Sequence, residues 1–200
     1  MQRLLLNTLT EWENNPKRKP LILKGVRQCG KTYLLKEFGH QHYSDIAYFN
    51  FEETASLKSL FESDNDTKRI LFELGLSIGK TIKPASTLVI FDEIQECGRA
   101  ITSLKYFCEN APEYHIVCAG SLLGIALNKQ PSFPVGKVDF LTLYPMNFIE
   151  FLMANGEETL AKYLSSFGKG GHLSEPVANK LETYLKQYYV TGGMPEVVQT

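Results

Sequence analysis

The chain has 200 residues, 44% hydrophobic and 22% charged, with a net charge of −1. That composition is typical of a globular protein with room for one domain and a small second one. The near-zero charge removes the overall basic field that marks nucleic-acid or membrane-surface binders, and no apolar run reaches the ~20 residues needed to span a bilayer.

Met1 to Asn15 predicts an amphipathic helix with Leu5, Leu9 and Trp12 on one face. It lacks the apolar core of a signal peptide. Pro16 to Pro20 is a basic turn, read as a solvated loop. Leu21-Ile22-Leu23-Lys24 is a short buried strand, and Tyr33 to Phe38 is an amphipathic helix ending near Gly39. Between them Gly25-Val26-Arg27-Gln28-Cys29-Gly30-Lys31-Thr32 completes a G-x-x-x-x-G-K-[ST] phosphate-binding loop in its required strand–loop–helix setting. A triphosphate needs many converging donors. The glycines let consecutive N–H groups point inward, and the helix adds its positive N-terminal end. Lys31 would meet the β- and γ-phosphates, and Thr32 would give its hydroxyl to Mg²⁺. Tyr33 completes the candidate nucleotide-contacting set, 25–33. Cys29, near a helix N-terminus, is open to two readings: an oxidisable thiol or a space-filling loop residue.

Further strands are predicted at Ile46–Phe51, Thr87–Phe91, His115–Ala119 and Val138–Leu143. Helices are predicted around Ala55–Phe61, Thr67–Gly79, Gly98–Glu109, Asn147–Ala154, Glu157–Ser165 and Glu175–Val190. Gly168 to Gly171 is a turn or linker. Apolar strands alternating with helices imply a parallel sheet covered on both faces, an α/β/α architecture. A helical segment follows from about residue 145. The division expected is therefore 1–145 for the core and 146–200 for the helical segment. Cys29, Cys97, Cys108 and Cys118 form no C-x-x-C pair, and read as reduced thiols of a cytoplasmic protein.

Ligands of open parallel sheets bind at the carboxyl ends of the strands. Asp92-Glu93 stands at one such end, where Asp92 reaches a metal through water and Glu93 orients or deprotonates an attacking water. Ser121 ends the next strand and serves as a γ-phosphate sensor, as the N-cap of a helix through Leu122-Leu123, or as both. Arg27, Arg99 and Lys137 are the candidate cations for stabilising transferred charge, each read first as a surface or structural charge.

Taken together, several segments resemble the AAA-type ATP-binding proteins of bacteria and archaea that carry a C-terminal domain of unknown function. They are Gly25–Thr32, Phe91-Asp92-Glu93-Ile94-Gln95, Ala119–Gly124, Phe133–Val138, Tyr144–Phe151 and Gly192-Gly193-Met194-Pro195-Glu196. The resemblance implies a P-loop core with a strand inserted between the phosphate-loop strand and the acidic strand. It also implies a winged-helix-like helical segment, and a Gly-x-Pro element that brings Pro195 to the adenine. The plain alternative for that element is a helix C-cap glycine followed by proline. Members of this group continue into a second domain, so a chain stopping at Thr200 reads as their N-terminal portion. Many have Gly-Arg-Val where Gly136-Lys137-Val138 stands here, and lysine keeps the charge without the planar fork.

Three functions compete on these residues. The first is a Mg²⁺-dependent ATP hydrolase that switches a helical domain or a protein partner. The second is a nucleotide-gated interaction module with negligible turnover. The third is a kinase, for which an arginine-rich lid is missing: Arg3, Arg18, Arg27, Arg69 and Arg99 are scattered. No basic stripe with interleaved aromatics supports a nucleic-acid partner.

Overall fold

Every strand of the sheet is parallel, and two of its three inner strands are buried along their whole length. A computed structural model describes residues 3–121, 133–168 and 172–198. In chain order the core comprises α1 (Leu5–Glu13), β1 (Leu21–Lys24), α2 (Lys31–His42), β2 (Asp45–Asn50), α3 (Thr67–Ser77), β3 (Thr87–Asp92), α4 (Gly98–Asn110), β4 (His115–Gly120) and β5 (Asp139–Thr142). The strand order is β2-β3-β4-β1-β5, so β4 lies between the phosphate-loop strand and the acidic strand, as the resemblance implies.

Period-two alternation sends side chains of each strand to opposite faces. Leu21, Leu23, Leu88, Ile90 and Val117 pack with Leu9 and Trp12 of α1 and with Leu34, Leu35 and Phe38 of α2. On the other face Ile22, Val89, Phe91, Ile116 and Cys118 pack with Ile70 and Leu74 of α3 and with Leu104 and Phe107 of α4. The result is the expected three-layer α/β/α fold. Phe91 is the hub of an aromatic cluster on that face: the rings of Phe49, Phe51, Phe61 and Phe107 surround it at centroid distances of 5.6–6.5 Å. Burying each such side chain contributes about 1.5–3 kcal/mol.

The element starts follow local chemistry. The Asp66 carboxylate accepts from Lys68 N and Arg69 N and opens α3. Ala55–Phe61 is a 3-10 helix rather than an α-helix, held by buried Leu57 and Phe61. The acidic strand runs one residue further than the apolar pattern predicts, taking Asp92 into β3. The helix expected to follow Ser121 through Leu122-Leu123, and linker residues 169–171, lie outside the described residues.

Past β5 the described residues hold helices and no strand: α5 (Phe148–Ala154), α6 (Glu158–Ser166), α7 (Glu175–Thr191) and the short α8 (Pro195–Val198). A reciprocal capping box of Asn147 and Glu150 starts α5. These helices share a small core of their own, around Leu152, Leu160, Ala161 and Leu181. All four cysteines are free thiols, and Cys29, Cys97 and Cys118 are buried.

Candidate functional site

The phosphate loop leaves β1 at Lys24, whose carbonyl accepts from Leu143 N at 2.7 Å. Gly25 must be glycine, because a Cβ there would collide with the Leu143 carbonyl oxygen. Cys29 is fully buried, with its sulfur 3.6 Å from the same oxygen, so its space-filling reading holds. Gln28 (φ 64°) and Gly30 (φ 91°) take left-handed conformations that turn the chain into α2. For Gln28 that geometry carries strain, which concentrates at binding loops. Lys31 opens the helix, nearly buried, and its Nζ donates to the carbonyls of Gly25 and Val26 at 3.0 and 2.8 Å.

Asp92, at the end of β3, faces this loop. Its Oδ2 accepts from the Thr32 hydroxyl at 2.7 Å and from the Tyr48 hydroxyl at 2.8 Å, and its Oδ1 accepts from Glu93 N at 3.0 Å. The two residues assigned to the metal are thus in direct contact. A half-buried hydroxyl and a buried carboxylate beside a phosphate loop are hard oxygen donors of the kind magnesium takes, with water and phosphate filling its other positions.

No local sequence signal marks Tyr48. It stands on β2, with Lys36 Nζ 3.7 Å from its ring centroid. Burial, reinforced by the Asp92 carboxylate, pushes its hydroxyl well above the ordinary tyrosine range, so it remains a proton donor to Asp92.

Glu93 breaks from the strand in a left-handed conformation (φ 48°), a second strained residue of the site. Its Oε2 accepts from Gln95 Nε2 at 2.5 Å, while Gln95 Oε1 is buried without a partner. Gln95, named only as part of the Asp-Glu-Ile-Gln resemblance, is therefore the residue that holds the Glu93 carboxylate.

A cavity of about 360 Å³ joins these pieces. Gln28, Gly30, Lys31, Thr32 and Tyr33 form one wall, Glu93 another, and Pro195 and Glu196 a third. Arg27 also lines it; of the three cations weighed, it alone does so among the described residues. Arg99 is exposed on α4, and Lys137 pairs with Glu109 at 2.8 Å on the surface. Ser121 directly follows Gly120, which is in register with Lys24, but it does not line the cavity.

Arg3, one of the scattered arginines in the sequence, lines the cavity with only 5% of its surface exposed. Its Nε donates to Glu150 Oε1 at 3.0 Å and its Nη1 to the Cys29 carbonyl at 2.9 Å. Asn147-x-x-Glu150 is a legible capping signal, but nothing local links it to residue 3.

Residues 17–152 match the AAA domain family. Uncharacterized protein MJ1544 of Methanocaldococcus jannaschii is 26% identical over 177 residues, which are 88% of this chain and 35% of that protein. The chain thus spans about a third of the length of that relative. Among solved structures, a chain of Drosophila ORC bound to DNA is similar with a TM-score of 0.54 at 14% identity, over 96% of this chain and 57% of that one. A RuvB variant of Thermotoga maritima gives a TM-score of 0.54 at 14% identity, over 100% of this chain and 59% of that one. At such identities these likenesses speak for the fold, and the fold agrees with the family match. With more than half of its length matched and its phosphate loop set against an acidic strand end, the chain belongs to the AAA domain family, with the nucleotide-binding, ATPase-like role that membership carries.

Proposed function

We propose that this chain binds ATP with magnesium in the described cavity and hydrolyses it, coupling nucleotide state to the helical segment 146–200 or to a protein partner. The observation that carries the reading is the direct Thr32–Asp92 contact beside a cavity walled by the phosphate loop, Glu93 and Pro195. The volume falls within the ordinary range for small-molecule sites, about 300–1,000 Å³.

On this reading Lys31 exchanges the Gly25 and Val26 carbonyls for the β- and γ-phosphate oxygens. Backbone N–H groups of residues 25–32 receive the remaining phosphate charge. Thr32 and Asp92 would hold magnesium, which when bound neutralises that charge, and Tyr48 fixes the Asp92 carboxylate by its hydrogen bond. Glu93 accepts a proton from the water whose oxygen bonds to the γ-phosphorus, as the bond from that phosphorus to the bridging oxygen of ADP breaks. Tyr33 and Pro195 flank the base. The free thiols fit a cytoplasmic protein.

A second reading, a nucleotide-gated module with negligible turnover, draws support from the hydrogen bond that Gln95 makes to Glu93. Binding and turnover of ATP with magnesium, measured on wild type, Lys31→Ala and Glu93→Gln, separate the two. For the hydrolase, Lys31→Ala weakens binding about 10- to 100-fold, the scale of a lost charged hydrogen bond. Glu93→Gln binds normally and turns over about 10²- to 10⁴-fold more slowly, the scale of a lost general base. Binding without turnover in wild type selects the module. No binding by folded wild type overturns both.

A further inference from the structure

Arg3 and Glu150 are separated by 147 positions, and both are at least nine-tenths buried. The guanidinium sends each of its hydrogen bonds to a different segment. Nε reaches Glu150 on α5 at 3.0 Å, Nη1 the Cys29 carbonyl in the phosphate loop at 2.9 Å, and Nη2 the Tyr144 carbonyl after β5 at 2.5 Å. The Glu150 carboxylate is equally occupied: Oε1 also accepts from Leu4 N at 2.9 Å, and Oε2 from Asn147 N at 3.1 Å.

The path continues beyond the pair. Next to Asn147, Met146 N donates to the Gly193 carbonyl at 2.7 Å, and Met146 O accepts from the Tyr188 hydroxyl at 2.8 Å. Gly193 lies so close to Met146 that a Cβ would collide with the Met146 backbone. Two residues on, Pro195 returns to the cavity. A Cβ placed on Gly30 would lie 3.6 Å from Pro195 Cγ and 3.9 Å from Arg3 Nη1. The chain of contacts therefore starts at the phosphate loop and ends at the opposite wall of the same cavity.

Buried charges cannot exchange a lost partner for water, so such a network shifts as a unit or breaks as a unit. A ligand that moves the Cys29 carbonyl must move the Arg3 guanidinium, and with it the capped start of α5. We propose that Arg3 and Glu150 are positioning residues forming a relay, which transmits the state of the phosphate loop to α5 and the end of α7. The relay rests on the reading of the cavity as a nucleotide site.

The test is amide hydrogen exchange on the full chain, with and without a non-hydrolysable ATP analogue and magnesium. It compares wild type with the Arg3→Met/Glu150→Gln double variant, which removes both charges while glutamine retains an acceptor for the α5 cap. The readout is residues 148–154 and 185–191, none of which lines the cavity. In wild type the analogue slows exchange there about tenfold, within the usual range for coupled sites. The analogue is raised until the phosphate loop of the double variant is protected as far as in wild type, and at that occupancy the slowing at the distant residues disappears. Arg3→Lys is the second variant should the double one not fold: it keeps the charge balance, loses the three-way fork, and loses the response in the same sense.

Equal slowing in wild type and variant, or none in wild type although its phosphate loop is protected, overturns the relay and leaves the nucleotide reading standing. If the analogue fails to protect the wild-type loop, the nucleotide reading fails and the relay with it.

Discussion

The sheet and the helical segment after it are built to very different depths. Every residue of β3 and β4 is buried, and two continuous cores sandwich them. Among the described residues the helical segment's own apolar cluster has four buried side chains, and the seventeen residues of α7 contribute just Leu181. Local opening free energies follow buried apolar contact, so α5 to α8 open before the sheet does. The cavity straddles this contrast, with the phosphate loop anchored in the stiff layer and Pro195 carried by the soft one. A site so divided can hold phosphate rigidly while its opposite wall yields.

Mutation can break the contrast at either side. Phe91→Ala empties the centre of the aromatic cluster and costs about 3–5 kcal/mol. Urea denaturation will show a lower midpoint for the sheet and the helices packed on it. Leu152→Ala, at a residue with no exposed surface, costs about 2–5 kcal/mol within its own segment. Exchange of α5–α7 amides will accelerate while β3 and β4 stay protected; equal acceleration in the strands would mean that the two parts are one cooperative unit. Asn147→Ala removes the α5 cap at about 0.5–2 kcal/mol, with the same regional signature on a smaller scale.

The mildest probe is pH. His115, on β4, is buried with its Nδ1 2.7 Å from the Tyr43 hydroxyl, and burial lowers its pKa from 6.5 to about 4. Below pH 6.5 the unfolded chain takes up a proton that the folded chain refuses until about pH 4, so acidification through that window favours unfolding. The urea midpoint should drift down as the pH falls from 6.5 toward 4 in wild type, and drift less in His115→Gln.

Much of this architecture is written locally. The phosphate loop, the acidic strand end and the strand limits were readable within one or two residues, because periodicity and glycine spacing are short-range signals. What escaped is long-range. Tyr48 meets Asp92 because β2 and β3 run in register, with Asn50 opposite Asp92, and no local pattern carries that pairing. Arg3 reads as one more charge on an N-terminal segment until the fold places α5 beside it. Among the cations weighed from sequence, Lys137 proved to be a surface partner of Glu109, because the end of α4 passes beside it.

The inserted position of β4 also sets the order in which the site can come into being. β1 and β3 are both made before β4, yet they are not neighbours: residues 115–120 must slide between them before Thr32 and Asp92 can meet. A chain emerging from its N-terminus therefore carries a phosphate loop for some ninety residues before the strand that seats it exists, and Arg3 waits longer still for Glu150. Parallel, sequence-distant pairings of this kind are slow to close and leave strand edges exposed meanwhile. The newborn chain spends that interval with its most adhesive segments, β1 and β3, unpaired along at least one edge.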